Sequence, residues 1–132
     1  MLSNIYKHTY NVGNIRYSPA FKWKGQIGRY KGFCKFENSD FALRALVVLI
    51  RNYIRMGYDT VGKILNRYAP NTENDLQSYL SYIWRCSALK ETDVIEYKSH
   101  HFFCLLYCIA HYETGFTFTE LELECLYKKF EL

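Results

Sequence analysis

Glu113 closes the apolar run CIAHYETGF, with Tyr112 before it and Thr114, Gly115 and Phe116 behind it. A glycosidic bond breaks when a carboxylic acid protonates the leaving oxygen, while a second carboxylate, or the substrate itself, steadies the oxocarbenium-like state. The donor must keep its proton near neutral pH, so a partly buried glutamate among aromatics is the suitable type. Glu113 fits that description. It also fits an ordinary glutamate at a helix end ahead of a glycine stop, and spacing alone does not separate the two. Glu73 and Asp75 are the next carboxylates of interest. Both fall in the first turn of an expected helix, where acids favour the positive end of the dipole; a catalytic or substrate-orienting role for Glu73 competes with that plain explanation. Glu37 and Asp40 flank another helix start, and capping accounts for them.

Side chains that could grip a sugar surround these acids in sequence. Trp23, Tyr17, Tyr68 and Tyr79 could stack on sugar faces, since a tyrosine or tryptophan pairs an apolar body with a polar tip. With 13 Tyr, 9 Phe and 2 Trp in the chain, each ring alone reads equally as core or core edge. Asn14 and Arg16 could bind a carboxylate or an N-acetyl group, Arg16 through its planar fork. Alternatively, Asn14 stabilises a turn and Arg16 pairs with an acid. His100, Cys104, Cys108 and His111 fall on one helical face, but His100 and His111 lie about 16 Å apart along the axis and cannot share one ion. The stripe therefore reads as packing, and neither a metal nor a cofactor is expected. Lys22, Lys24, Arg29, Lys31 and Lys35 interleave with Phe21, Trp23, Tyr30 and Phe33, a basic-aromatic ribbon of the kind that binds single strands. At a net charge of only +4 nucleic acid is the disfavoured partner.

The elements that must position these residues follow from periodicity and breakers. Residues 1–10 read as an irregular or weakly helical lead-in, and 11–14 as a turn. Two short strands are expected at 21–26 and 32–36, joined by 27–31. The stretch 40–56 is the strongest helix, with Phe41, Leu43, Leu46, Ile50 and Tyr53 recurring at helical period opposite Arg44, Arg51 and Arg55; Gly57 stops it. Asp59 could cap a helix over 60–67 that ends before Pro70. Thr72, with Asp75 as capping-box partner, opens a helix to about Ser87. A connector over 89–97 leads to a buried-looking helix over 98–112, ending near Gly115, and 119–130 closes the chain as an amphipathic helix.

The chain has 132 residues, 49% of them hydrophobic, which suits one domain with a real core. Five cysteines, an odd number without a CxxC pair, suit a reduced cytosolic chain more than a disulfide scaffold. No run reaches the roughly 20 apolar residues of a membrane span. Residues 1–10 are too polar for a signal peptide.

Two blocks resemble a known group. Asn11 to Arg16, NVGNIR, is similar to the NPGNIR hallmark of small phage-associated, lysozyme-like proteins often labelled phage structural proteins, with Val12 at the proline position. Trp23 with Gly25, the strand over 33–36, and Leu43-Arg44-Ala45 match that group's next elements. Arg67 to Pro70, Glu73-Asn74-Asp75 and Tyr79 match its second block. The likeness covers about 110 residues, and extends more distantly to cell-wall glucosaminidases and lytic transglycosylases. Those enzymes place a catalytic glutamate on the helix just before the Asn-Gly turn. Here the first glutamate is Glu37, and the missing helix end resembles the Glu113-Thr114-Gly115 segment at the other end of the chain.

The expectation is thus a mainly α, lysozyme-like single domain over 1–132 with a small β-hairpin, circularly permuted, in which Glu113 comes to lie beside the hairpin. The resemblance implies binding of peptidoglycan glycan strands, and their cleavage if Glu113 serves as acid with Glu73 as helper. Asn14, Arg16, Trp23, Tyr68, Asn74 and Tyr79 would line the groove. The rival is a non-catalytic virion protein, partnered by other virion proteins, that keeps the fold without the chemistry. Either way, cytoplasmic synthesis would precede incorporation into a virion or release to the cell wall.

Overall fold

A computed structural model describes residues 1–69 and 73–132; the side chains of Glu73 and Asn74, and the expected helix boundary at Pro70 and Thr72, lie outside the described residues. Among the described residues, six α-helices and one two-stranded antiparallel sheet make up the regular structure. In chain order they are α1 (Asn4–Thr9), β1 (Gln26–Tyr30), β2 (Phe33–Phe36), α2 (Ser39–Arg55), α3 (Val61–Tyr68), α4 (Glu73–Ser87), α5 (His100–Thr114) and α6 (Glu120–Phe130). The protein is mainly helical with a small hairpin, as the periodicity predicts. Contacts gather it into two units, Met1–Val48 with Ile109–Leu132, and Leu49–Cys108.

In the first unit, the hairpin lies one step further along the chain than expected. The strand predicted at 21–26 is a bridge at Phe21 followed by a turn, and β1 occupies most of the stretch read as the connection. The cause is Gly25. Its φ of +78° follows Trp23 and Lys24 in a turn closed by the Gln26 amide donating to the Trp23 carbonyl (3.0 Å), and such turns require positive φ at the third position. A Cβ at Gly25 would also strike the Phe41 ring, a tertiary contact no local pattern announces. The strands are then joined by Lys31 and Gly32 alone, with φ of 49° and 84°. Positive φ at both central residues is the tight hairpin turn whose twist matches its strands. A register shift between Gln26 and Gly28 leaves Ile27 bulged into solvent.

The helices of this unit follow their sequence signals. Asn38 Oδ1 accepts from the Phe41 amide (3.1 Å) and starts α2, so neither Glu37 nor Asp40 is the cap. Asp40 instead forms an exposed ion pair with Lys129 (2.7 Å). Ala42, Leu43, Ala45, Leu46 and Val47 of α2 are buried, as are Val12, Ile15 and Phe36 of the same unit. A fully buried leucine or phenylalanine contributes about 1.5–3 kcal/mol. Thr119 caps α6 in a capping box with Glu122, and the φ of 80° at Gly115 ends the α5 segment.

In the second unit, Thr60 rather than Asp59 caps α3, its hydroxyl accepting from the Lys63 amide (3.2 Å). The Asp59 carbonyl accepts from Ile95 (2.7 Å), and Val61 and Gly62 donate to Asp93 and Glu91. These bonds pin the connector after α4 across the start of α3. Ser99 caps α5 through the Phe102 amide (3.1 Å), so the helix begins two residues after its expected start and runs two residues past its expected end, to Thr114. Leu105, Leu106 and Ile83 are fully buried. None of the five cysteines forms a disulfide. Burial pushes the Cys34 thiol of the first unit up to about 11 and the Cys108 thiol of the second up to about 12. Among the described residues no helix is long and apolar enough to cross a membrane.

Candidate functional site

The sequence NVGNIR folds as a turn held from inside by its own first residue. Asn11 is fully buried. Its Oδ1 accepts from the Ile15 amide (2.9 Å), and its Nδ2 donates to the carbonyls of Ile15 and Cys34 (2.9 Å each). A buried carboxamide satisfied on both ends does the work of a strand partner, tying the turn to β2 while leaving residues 12–14 to arch away from the sheet. Val12 is fully buried.

That arch meets the last turn of α5. Thr114, 2% exposed, donates its hydroxyl to the Val12 carbonyl (2.7 Å) and to the Ala110 carbonyl (3.1 Å). Ser3 donates its amide to the Thr114 carbonyl (2.8 Å). Asn14, at φ 54°, turns its side chain onto Glu113: Nδ2 donates to the Glu113 carbonyl (3.1 Å) and to its carboxylate Oε1 (3.2 Å). The left-handed backbone is one that asparagine tolerates better than most residues. Oδ1 of the same amide is buried without a hydrogen-bond partner. Flipping the amide would aim an oxygen at two oxygens, so the donor assignment is the only sensible one. Two residues 99 positions apart thus share a site, with Glu113 half-buried and Tyr112 beside it 42% exposed.

The other expected site residues fall in different surroundings. Arg16 is exposed and lies over the Phe33 ring (5.1 Å to its centroid). Trp23 is buried, edge-on to the exposed Phe21 (4.5 Å between centroids), with its amide held by Gln26 Oε1 (2.9 Å). It serves the core of the first unit, with little of its ring left for a sugar. Tyr68 and Tyr79 belong to the second unit; Tyr68 is half-buried at the end of α3, and Tyr79 on α4 is buried, with almost no ring face open to solvent. The side chains of Glu73 and Asn74 lie outside the described residues. Asn11 and Thr114 hold the site together, and residue-type reasoning passed over both. Asn11 lies between Tyr10 and Val12 and Thr114 between Glu113 and Gly115, and neither neighbourhood announces a buried polar residue.

Within the histidine-cysteine stripe of α5, Cys104 Sγ lies 3.4 Å from His100 Nε2, and no group of three metal-ligating side chains gathers among the described residues. No known protein family matches the chain, and neither does any curated protein sequence.

Proposed function

We propose that the protein binds peptidoglycan glycan strands through the site where the NVGNIR turn meets the end of α5, and that Glu113 is the acid that cleaves them. The single observation carrying this reading is the bond from Asn14 to Glu113. It sets a half-buried glutamate, with an aromatic neighbour, against the one motif whose resemblance points to glycan enzymes. Those enzymes carry their glutamate on the helix preceding the turn. A circularly permuted lysozyme-like domain would reach the same juxtaposition from the opposite end of the chain, and the amide of Ser3 donating to the end of α5 fits such a rearrangement. In cleavage, Glu113 would protonate the glycosidic oxygen, and Asn14 would act as a positioning residue that aims the carboxyl group.

One observation favours the non-catalytic virion protein as second reading. A hydrogen bond donated to a carboxylate oxygen stabilises the ionised form, whereas a general acid needs its proton. A proton carried on Oε2 would leave the Asn14 bond to Oε1 intact and relieve the conflict; a protein that never cleaves would have none.

The test is release of soluble muropeptides from purified peptidoglycan by the wild type and by Glu113→Gln, with circular dichroism as folding control. Loss in the variant supports the acid role. Equal release by both moves the acid elsewhere. Co-sedimentation with the wall but no release by either leaves the non-catalytic reading.

A further inference from the structure

The charge of this chain is not evenly mixed. Of 17 Lys and Arg, seven lie in the first 36 residues, which hold none of the 13 Asp and Glu; the remainder of the chain is net acidic. The fold gathers part of this excess on one face of the hairpin. In an antiparallel ladder, residues directly opposite each other point to the same side, as do residues two apart on one strand. Phe33 pairs with Tyr30 across the hairpin and with Arg16 on its other flank, so Arg16, Phe33, Tyr30 and Lys35 share one face. Arg16 covers Phe33, and Lys31 lies over Tyr30 (5.5 Å to the centroid). His8, from α1, stacks parallel on Tyr30 at 4.6 Å and 1°. Arg29 pairs with the buried Cys34, so it and Tyr17, whose ring it covers at 4.8 Å, point to the opposite side of the hairpin.

We propose that this hairpin face binds single-stranded nucleic acid, independently of the Asn14–Glu113 site. Phosphates would meet the exposed cations of this face, Arg16, Lys31 and Lys35. A base would stack on the exposed His8 ring, which already lies parallel on Tyr30. An imidazole plane resting on an aromatic ring presents its outer face to a further flat partner, and bases stack on such planes. Polymers of phosphate without bases would use the cations but leave this plane idle. The plane is what favours nucleic acid over a bare polyanion.

The experiment is fluorescence anisotropy of the full chain with a fluorescein-labelled 20-mer of thymidine, across salt concentrations. The same titration is run with an abasic 20-mer of identical charge and with an unlabelled polyphosphate competitor. Engagement of about three phosphates gives a slope of log affinity against log salt near −2. The abasic strand should bind ~10-fold or more weakly than the thymidine strand, and the His8→Ala protein should lose ~10-fold for thymidine and little for the abasic strand. His8 is exposed, and circular dichroism checks the fold. Absence of binding at low salt overturns the proposal. Equal affinity for thymidine and abasic strands, or undiminished thymidine affinity of the His8 variant, also overturns it and reduces the face to a general polyanion patch. Muropeptide release by these proteins reports separately on the Glu113 site, so the two readings fail separately.

Discussion

Replacing Asn11 removes three hydrogen bonds at once, and their geometry sets the cost. Without the carboxamide, the Ile15 amide and the Cys34 carbonyl lose the partners they have at 2.9 Å, whereas the Ile15 carbonyl keeps the Cys34 amide at 3.0 Å. Each buried group orphaned costs about 1–3 kcal/mol. Two such groups put Asn11→Ala at roughly 3–4 kcal/mol. With a urea dependence of about 1.5–2 kcal/mol/M for a chain of this length, the midpoint falls by about 2 M. Trp23 is the natural reporter, since it is buried in the same unit while Trp84 is 52% exposed in the other; a Trp84→Phe background isolates its signal. Asn11→Asp adds a sharper comparison. It keeps the acceptor for Ile15 but points a carboxylate oxygen at two carbonyls, so it should cost at least as much as alanine despite its nearly identical shape. An alanine variant with a midpoint within about 0.5 M of the wild type would refute the claim that Asn11 holds the turn.

Three further outcomes follow from the same geometry. Asn14→Gly suits the positive φ that Asn14→Ala strains, so glycine should be the more stable variant by about 1 kcal/mol in thermal melts; both should lose muropeptide release, because both remove the bond that aims Glu113. Gly115→Ala sets a Cβ against the Met1 carbonyl at a positive φ, and should lower Tm by roughly 3–10 °C. Burial raises the Cys34 thiol from 9.0 to about 11; a folded pKa above the unfolded one means its contribution is complete below pH 9 and lost as pH rises toward 11. Stability should therefore fall across that window, less so in Cys34→Ala, and thiol-reagent titration at pH 8 should find Cys34 and Cys108 slow beside the exposed Cys86 and Cys125.

The helices were legible because their signals are local. The 3.6-residue apolar period of α2, the glycine after it, and the Thr119–Glu122 box of α6 each lie within one or two turns of chain. The second strand was legible for the same reason. The first strand was misplaced because Trp23 between two lysines alternates like a strand, while the deciding contact, Phe41 against Gly25, comes from 16 residues away. The cap of α3 moved from Asp59 to Thr60 because the Asp59 carbonyl is committed to Ile95, a long-range bond. The two halves of the candidate site were visible singly, and only a resemblance suggested that Glu113 would come to the hairpin's end of the molecule. Spacing along the chain could not have brought Asn14 to it. Nor does overall charge reveal how it is distributed: +4 conceals a first 36 residues without a single carboxylate.

The most direct measurement of the central claim is where a glycan touches the protein. Amide and side-chain chemical shifts recorded during titration with a tetrasaccharide of alternating N-acetylglucosamine and N-acetylmuramic acid would locate it. The account predicts that the largest changes fall on the Asn14 carboxamide, the amides of residues 12–16 and those of 113–115. Changes centred elsewhere, or none at saturating sugar, would contradict it.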